Sequence, residues 1–345
     1  MKSKLAKSLG MMAAGLVGVI GISACGGGGG ASDTLRLGYF ANITHAPAII
    51  GVDKGFFEDA LGPDVKLELV TFNSGTEAIE ALFAGSIDAS FIGPNPAISG
   101  YQKSDGEALR IVAGTTSGGA SLVVREGINS VEDLAGTTLA TPSLGNTQDV
   151  ALRKWLADEG FETDTSAGGD VSIRPQENAD TLTTFIDGQI DGAWVPEPWA
   201  TRLVLEGGGK VLLDEAELWP GGDFVTTHLI VGKEYLKSNK EIVSNLISGL
   251  VDSLDWIAAN EDEAKSEVNA GIKAITSKEL KQETIDGAWD KLRFTFDPIA
   301  SSLIVSKDNA VSVGLLEEVD LSDIYDLSLL NAILKDRGLS EIKVN

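Results

Sequence analysis

One segment of this chain occurs twice. Ala81–Pro96 (ALFAGSIDASFIGPNP) is matched 103 residues later by Thr184–Trp199 (TFIDGQIDGAWVPEPW). Each copy reads as the end of a helix, a glycine placed for a left-handed terminus, an Ile-Asp pair, a short apolar strand and a proline-punctuated loop. A unit of this kind needs a sheet to join, so two copies at this distance predict two similar α/β lobes with a cleft between them. The flanking sequence agrees with a strand–helix alternation. Leu35–Tyr39, Val65–Phe72, Ile87–Ile92 and Leu109–Gly114 read as strands. Ala46–Phe57, Thr76–Ala84 and Ala97–Gln102 read as helices between them. Each lobe is expected to be a mostly parallel sheet flanked by helices. Thr115–Gly119 and Gly221–Thr226 are expected to be the two crossings that act as a hinge. The division is then 34–118 for the first part of lobe 1, 119–221 for lobe 2, and 222–345 for the return to lobe 1. The return adds a strand at Thr227–Val231 and helices at Ile242–Ala259, Glu261–Ala274, Lys278–Lys291 and Ser328–Arg337.

The first residues read as an address rather than structure. Lys2, Lys4 and Lys7 precede an apolar run from Leu9 to Ile22, too short for a comfortable membrane span. Ile22-Ser23-Ala24-Cys25 resembles the bacterial lipobox, which implies cleavage before Cys25 and a lipid on its sulfur. Residues 1–24 are then a lipoprotein signal peptide. Residues 25–33, with the Gly26–Gly30 run, are a flexible tether. No later apolar run is read as long enough to cross a bilayer. The expected location is the outer face of the bacterial cytoplasmic membrane, held by a lipid anchor.

Charge excludes several functions. With 27 basic and 51 acidic residues the chain carries −24. Loss of residues 1–24 removes three lysines and no acid, leaving 24 basic against 51 acidic groups, or −27. Nucleic acid is therefore not a partner, because phosphate binding needs a basic face. The chain has one cysteine, Cys25, and two histidines, His45 and His228. An internal disulfide is impossible, and no cysteine or histidine cluster offers a metal centre. HExxH, GxSxG and Walker A patterns are all missing from the sequence. The expectation is a binding protein that is not an enzyme, has no cofactor and works as a monomer.

Four stretches carry a family likeness. They are Gly38–Ala48 (GYFANITHAPA), Ile92–Ile98 (IGPNPAI), Thr141–Asp149 (TPSLGNTQD) and Trp194–Trp199 (WVPEPW). In this order they resemble the solute-binding proteins of ABC importers of the aliphatic-sulfonate, taurine and nitrate type. The resemblance implies a two-lobed clamshell that delivers a small anionic solute to a permease driven by separate ATPase chains. It points to an aliphatic sulfonate or taurine. Nitrate, bicarbonate or a thiamine-pyrimidine precursor is the alternative. More distant readings are a ligand-sensing surface lipoprotein, an adhesin, or an enzyme on the same fold; the thiamine-pyrimidine synthases of that fold carry a cysteine cluster that this chain lacks.

Candidate ligand contacts sit at strand ends. A strand at Thr138–Ala140 leads to a turn and a helix that Asn146 or Thr147 can cap. Free N–H groups at that helix start, with Ser143, Asn146, Thr147 and Gln148, offer neutral donors to an anion. Asn73, Ser74 and Gly75 open a second helix, where Glu77 equally completes a capping box. Asn42 and His45 follow the first strand. Asn95 and Glu197 lie in the loops after the repeated strands. Trp194 and Trp199 either pack over the ligand or belong to the core. Glu197 at the cleft mouth favours an amino-bearing ligand, or else pairs with Arg202. Gly118 and Thr227 sit at the crossings.

Overall fold

A computed structural model describes residues 33–344. Cys25 and the segments read as signal peptide and tether lie outside the described residues, apart from Asp33.

The strands are β1 (Thr34–Phe40), β2 (Lys66–Phe72), β3 (Ala89–Ile92), β4 (Leu109–Gly118), β5 (Ala120–Val124), β6 (Thr138–Thr141), β7 (Ser172–Pro175), β8 (Gly192–Pro196), β9 (Lys210–Asp214), β10 (Val225–Gly232) and β11 (Leu292–Phe294). Among the described residues they form two sheets, ordered β11-β4-β10-β3-β1-β2 and β7-β6-β8-β5-β9. The two-lobed α/β architecture is therefore present. The sheets are mixed, however, rather than mostly parallel. β1 runs parallel to β2 and β3, and β6 runs parallel to β7 and β8, because helical crossovers join them. β10, β4 and β11 in one sheet, and β5 and β9 in the other, pair antiparallel. Only β10 and β11 in the first sheet, and β5 in the second, run against the remaining strands of their sheets.

The repeat has a structural cause. Asp88 takes the backbone N–H of Arg36 at 2.8 Å and pairs with its guanidinium at 2.6 Å. Asp191, its counterpart, takes the N–H of Thr138 at 2.8 Å and pairs with Arg125 at 3.2 Å. In each lobe the Ile-Asp carboxylate thus fastens the start of a neighbouring strand, while Ile87 and Ile190 are buried beneath it.

Both faces of each sheet are covered. In lobe 1, Leu35, Leu37 and Phe91 pack with the long Lys240–Ala259 helix, and Ile92, Ile98 and Ile111 pack on the other face. In lobe 2, Trp194 and Leu139 face one layer, and Ala193 and Val195 the other. The Lys240–Ala259 helix corrects the expectation about span-length runs, since it is long and apolar enough to cross a membrane by length and composition. Its apolar stripe, from Ile242 and Val243 through Leu246, Leu250 and Leu254 to Ile257, is spent on this core. Burial of each such side chain stabilises the lobe by about 1.5–3 kcal/mol.

Some elements differ from the sequence reading. The expected Ala46–Phe57 helix is two helices, Ala46–Asp53 and Phe56–Leu61, separated at Gly55 with φ +74°. The Ala300–Ser312 helix and β11 were not read from the sequence. At the first crossing Gly118 and Gly119 have φ of +81° and +74°. Cβ atoms added there would lie 2.5 Å from the Lys291 carbonyl oxygen and 2.2 Å from Leu292. Two consecutive left-handed residues under this crowding admit only glycine without strain.

Candidate ligand-binding cleft

The parallel strands of both sheets point their C-terminal ends at the space between the lobes, and each end leads into a helix. β1, β2 and β3 are followed by helices Ala46–Asp53, Gly75–Phe83 and Pro94–Lys103. β6 and β7 are followed by Thr147–Asp158 and Asn178–Ile186. Residues at the starts of these helices, among them His45, Ser74, Gly93, Asn146 and Asn178, line one cavity of about 430 Å³ counted out to its open mouth. Each start presents the positive end of a helix dipole, and the starts at Gly75, Thr147 and Asn178 add unsatisfied backbone N–H groups, which Pro47, Pro94 and Pro96 reduce at the other two. No Asp, Glu, Lys or Arg is among the described residues lining this head compartment. His45 is buried, which pushes its imidazole down to about 3, so it is neutral near pH 7. Its ring stacks on Phe40 at 4.4 Å, and its Nδ1 is buried without a partner among the described residues. The cavity is polar, uncharged and biased toward negative charge.

A larger space of about 1020 Å³ adjoins it and shares Phe40, Asn42, Asn73 and Asn178 as walls. Phe72, Leu182, Trp199, Ile272 and Leu280 give this vestibule an apolar part, and Glu177, Arg202 and Lys278 are its charged members.

Nine of the expected contacts meet in the head compartment: Asn42, His45, Asn73, Ser74, Gly75, Asn146, Thr147, Gln148 and Thr227. Several also serve the fold. The Ser74 hydroxyl accepts from Glu77 N, and the Glu77 carboxylate accepts from Asn73 N, so the local capping role is filled. Asn146 caps its helix by accepting from Asp149 N at 2.9 Å, and its amide nitrogen donates to Gln148 Oε1 at 3.1 Å. Both ends of that side chain are engaged. This leaves the Thr147 hydroxyl, the Gln148 amide nitrogen and the backbone N–H groups as the donors at that helix start. The Thr227 hydroxyl donates to the Thr44 carbonyl at 3.1 Å.

The other six are placed elsewhere. Trp194 is fully buried in the lobe 2 core, donating from Nε1 to Glu215 at 2.7 Å. Asn95 donates to the Ser306 carbonyl at 3.2 Å behind the cleft. Glu197 is wholly buried and holds Thr201 N and Oγ1 at 3.0 Å each, with Lys291 at 3.7 Å. Burial raises its carboxyl pKa, opposed first by the Lys291 charge. Arg202 pairs with Glu206 instead. Trp199 stands in the vestibule wall and donates from Nε1 to Asn42 Oδ1 at 2.9 Å, a bond between the lobes. Ser143 meets Thr76 across the lobes at 3.4 Å. Gly118 belongs to the crossing and receives the Thr226 hydroxyl on its carbonyl.

The sequence reading missed Phe40, Thr44, Gly93, Pro96, Pro142, Asn178 and Pro196 as lining residues, while Thr226, beside Thr227 at the second crossing, also lines the cavity. Gly93 had a signal, since it ends a repeated strand; a Cβ there would sit 2.6 Å from Thr147 Oγ1 of the other lobe. Asn178 had none, because the strand before it was not recognised.

Two substitutions separate these roles. Thr147→Val keeps the shape and removes the free hydroxyl; it is expected to weaken anion binding by about 1.5–3 kcal/mol with little change in melting temperature. Asn146→Ala is expected to destabilise the protein by about 1 kcal/mol through the lost cap. Calorimetry and thermal melts on the two variants check both.

A cleft between two α/β lobes, reached by helix starts from both, defines a solute-binding fold of the periplasmic binding protein type. The chain belongs to the NMT1-like family, whose model matches residues 28–272. It is 27% identical over 272 residues to a binding protein of Brucella abortus (strain 2308), covering 74% of this chain and 81% of that one. It is 28% identical over 196 residues to the taurine-binding periplasmic protein of Escherichia coli (strain K12), covering 55% of this chain and 57% of that one. The alkanesulfonate-binding protein SsuA from Xanthomonas axonopodis pv. citri, solved bound to MOPS, superposes with a TM-score of 0.69 at 18% identity, covering 84% of this chain and 96% of that one.

Proposed function

We propose that this chain is the extracytoplasmic solute-binding component of an ABC-type importer, capturing a small organic anion, foremost an aliphatic sulfonate, and delivering it to a membrane permease driven by separate ATPase chains. The observation that carries this reading is the convergence of helix starts from both lobes on a buried cleft whose lining is uncharged. Oriented N–H groups stabilise an anion there without a buried counter-ion. The names of the Escherichia coli and Xanthomonas relatives support the same ligand class. The apolar members of the vestibule wall, Phe72, Leu182, Ile272 and Leu280, favour an anion with a carbon tail over nitrate or bicarbonate. The burial of Glu197 against Thr201 and Lys291 withdraws the carboxylate that would have favoured an amino group, so a plain sulfonate ranks ahead of taurine.

In this reading residues 34–118 with 222–345 form one jaw and 119–221 the other. Closure about the crossings shifts the population toward the form the permease recognises. Cys25 carries the lipid anchor and the protein acts as a monomer.

Thermal shift and calorimetry on the chain from Ser32 onward, against alkanesulfonates, taurine, nitrate, bicarbonate, sulfate and a thiamine pyrimidine, test the proposal. Saturable stabilisation by sulfonates supports it. Binding of the pyrimidine alone sinks the anion assignment, and binding of none of them sinks the transport role. The buried His45 adds a second expectation. A sulfonate stays ionised and a neutral imidazole does not titrate above pH 5, so affinity is expected to be flat from about pH 5 to 8. A rise of about tenfold toward pH 5 would mark an imidazolium in the site and refute the uncharged description.

A further inference from the structure

We infer that the solute carries, close to its anionic head, a neutral hydrogen-bond donor, a hydroxyl or an amide N–H, which the carboxamide of Asn178 receives. This deepens the proposed function and rests on the cleft being an anion site. Asn178 begins the helix that follows β7 and is 7% exposed. Its Oδ1 is buried and has no hydrogen-bond partner among the described residues. Buried amide oxygens are rarely left so, because the desolvation is not repaid. The side chain lies where the head compartment meets the vestibule, since it is a wall of both.

The neighbouring amide at this neck is differently placed. Asn42 Oδ1 already accepts from the Trp199 indole. Asn178 Oδ1 is the buried neck oxygen without a partner among the described residues. On the lobe 1 side of the cleft the buried Nδ1 of His45 is likewise unpartnered. A ligand whose head occupies the helix starts therefore meets an acceptor beside that head, contributed by lobe 2, and an unsatisfied ring nitrogen contributed by lobe 1. One molecule that satisfies both bridges the jaws.

The donor is neutral for a physical reason. An ammonium taken out of water needs a carboxylate, and among the described residues the head compartment has none. Glu177, in the vestibule wall, is solvent-exposed and offers no buried carboxylate.

The test is calorimetry on the chain from Ser32 onward with ethanesulfonate, 2-hydroxyethanesulfonate and taurine as probes. 2-Hydroxyethanesulfonate is expected to bind about tenfold tighter than ethanesulfonate. Asn178→Leu is expected to erase that preference while ethanesulfonate still binds and the melting temperature is held or raised. Equal wild-type affinities for the two overturn the inference whatever the variant does, as does a Leu variant that keeps the preference. Taurine binding tighter than 2-hydroxyethanesulfonate overturns the neutral donor. If the wild type binds alkanesulfonates of other lengths but none of these three, the anion reading survives and the donor inference falls. If it binds no sulfonate at all, the sulfonate reading itself falls and carries the inference with it.

Discussion

Asp149→Ala is expected to destabilise the protein by about 3–5 kcal/mol, the largest effect of any single polar substitution near the cleft. Asp149 is fully buried and makes three bonds with its carboxylate. It accepts from the Thr141 hydroxyl at 2.8 Å, from Gly145 N at 2.9 Å and from Arg153 Nε at 3.0 Å. Arg153 is almost as deeply buried, and one of its terminal nitrogens is already without a partner among the described residues. Removal of the carboxylate leaves that cation uncompensated and unties both ends of the turn that presents Asn146 and Thr147. Stability and ligand binding should therefore fall together. The double variant Asp149→Ala with Arg153→Leu separates the two losses. Replacement of a buried ion pair by apolar groups is often neutral, so stability should largely return. Affinity should not return, because the ties to Thr141 and Gly145 are still missing. Urea denaturation and calorimetry on both variants measure this; a single variant that loses less than about 1 kcal/mol would show that the pair is not what holds the turn.

The second large effect concerns pH. Glu215, also buried in lobe 2, accepts the Trp194 indole N–H at 2.7 Å, and burial pushes its carboxyl up to about 7. Between the ordinary value of 4.5 and about 7, the folded protein holds a proton that the unfolded chain has released. The unfolded state then binds fewer protons, so this group makes stability fall as pH rises through that window, by about 3 kcal/mol in all. Glu215→Gln keeps an acceptor for Trp194 and abolishes the titration. Relative to the wild type, the variant is expected to gain about 3 kcal/mol on going from pH 4.5 to 8. The buried histidines act in the opposite direction. Burial lowers His45 to about 3 and His228 to about 4, so each withholds stability as pH falls below 6.5. Both are present in wild type and variant and cancel in the comparison. A difference between the two proteins that does not change with pH would sink the assignment of a protonated Glu215.

Much of the cleft was legible because its position follows from topology. Strand ends of a doubly built α/β chain face a common space, and Asn42, Asn73, Ser74, Asn146 and Thr147 stand directly after such ends. The failures came where the direction of one side chain decided the matter. Trp194 lies two residues before the end of β8, and strand alternation sends it into the core face opposite Ala193 and Val195. That alternation was readable, but a tryptophan near a proline loop invited a ligand role. Glu197 turns back to hold Thr201, a bond that spacing alone does not distinguish from a rim charge. Asn178 was invisible because Ser172–Pro175 is a short strand with mixed polarity, and without a strand end there was no reason to look at the helix after it.

The order of strands in the first sheet sets a schedule for biogenesis. β3 and β4 are consecutive in the chain but are not neighbours; β10 is threaded between them. As the polypeptide emerges from its N-terminus, β2, β1 and β3 can assemble, yet the inner edge of β3 stays unpaired until Val225–Gly232 arrives. Every strand of the second sheet falls between Ala120 and Asp214, so that sheet can close first. The inserted lobe matures while its host is still half-built. A nascent chain stalled between Asp214 and Val225 would carry one finished sheet beside one with an open edge, the state most exposed to intermolecular strand pairing and most in need of a chaperone.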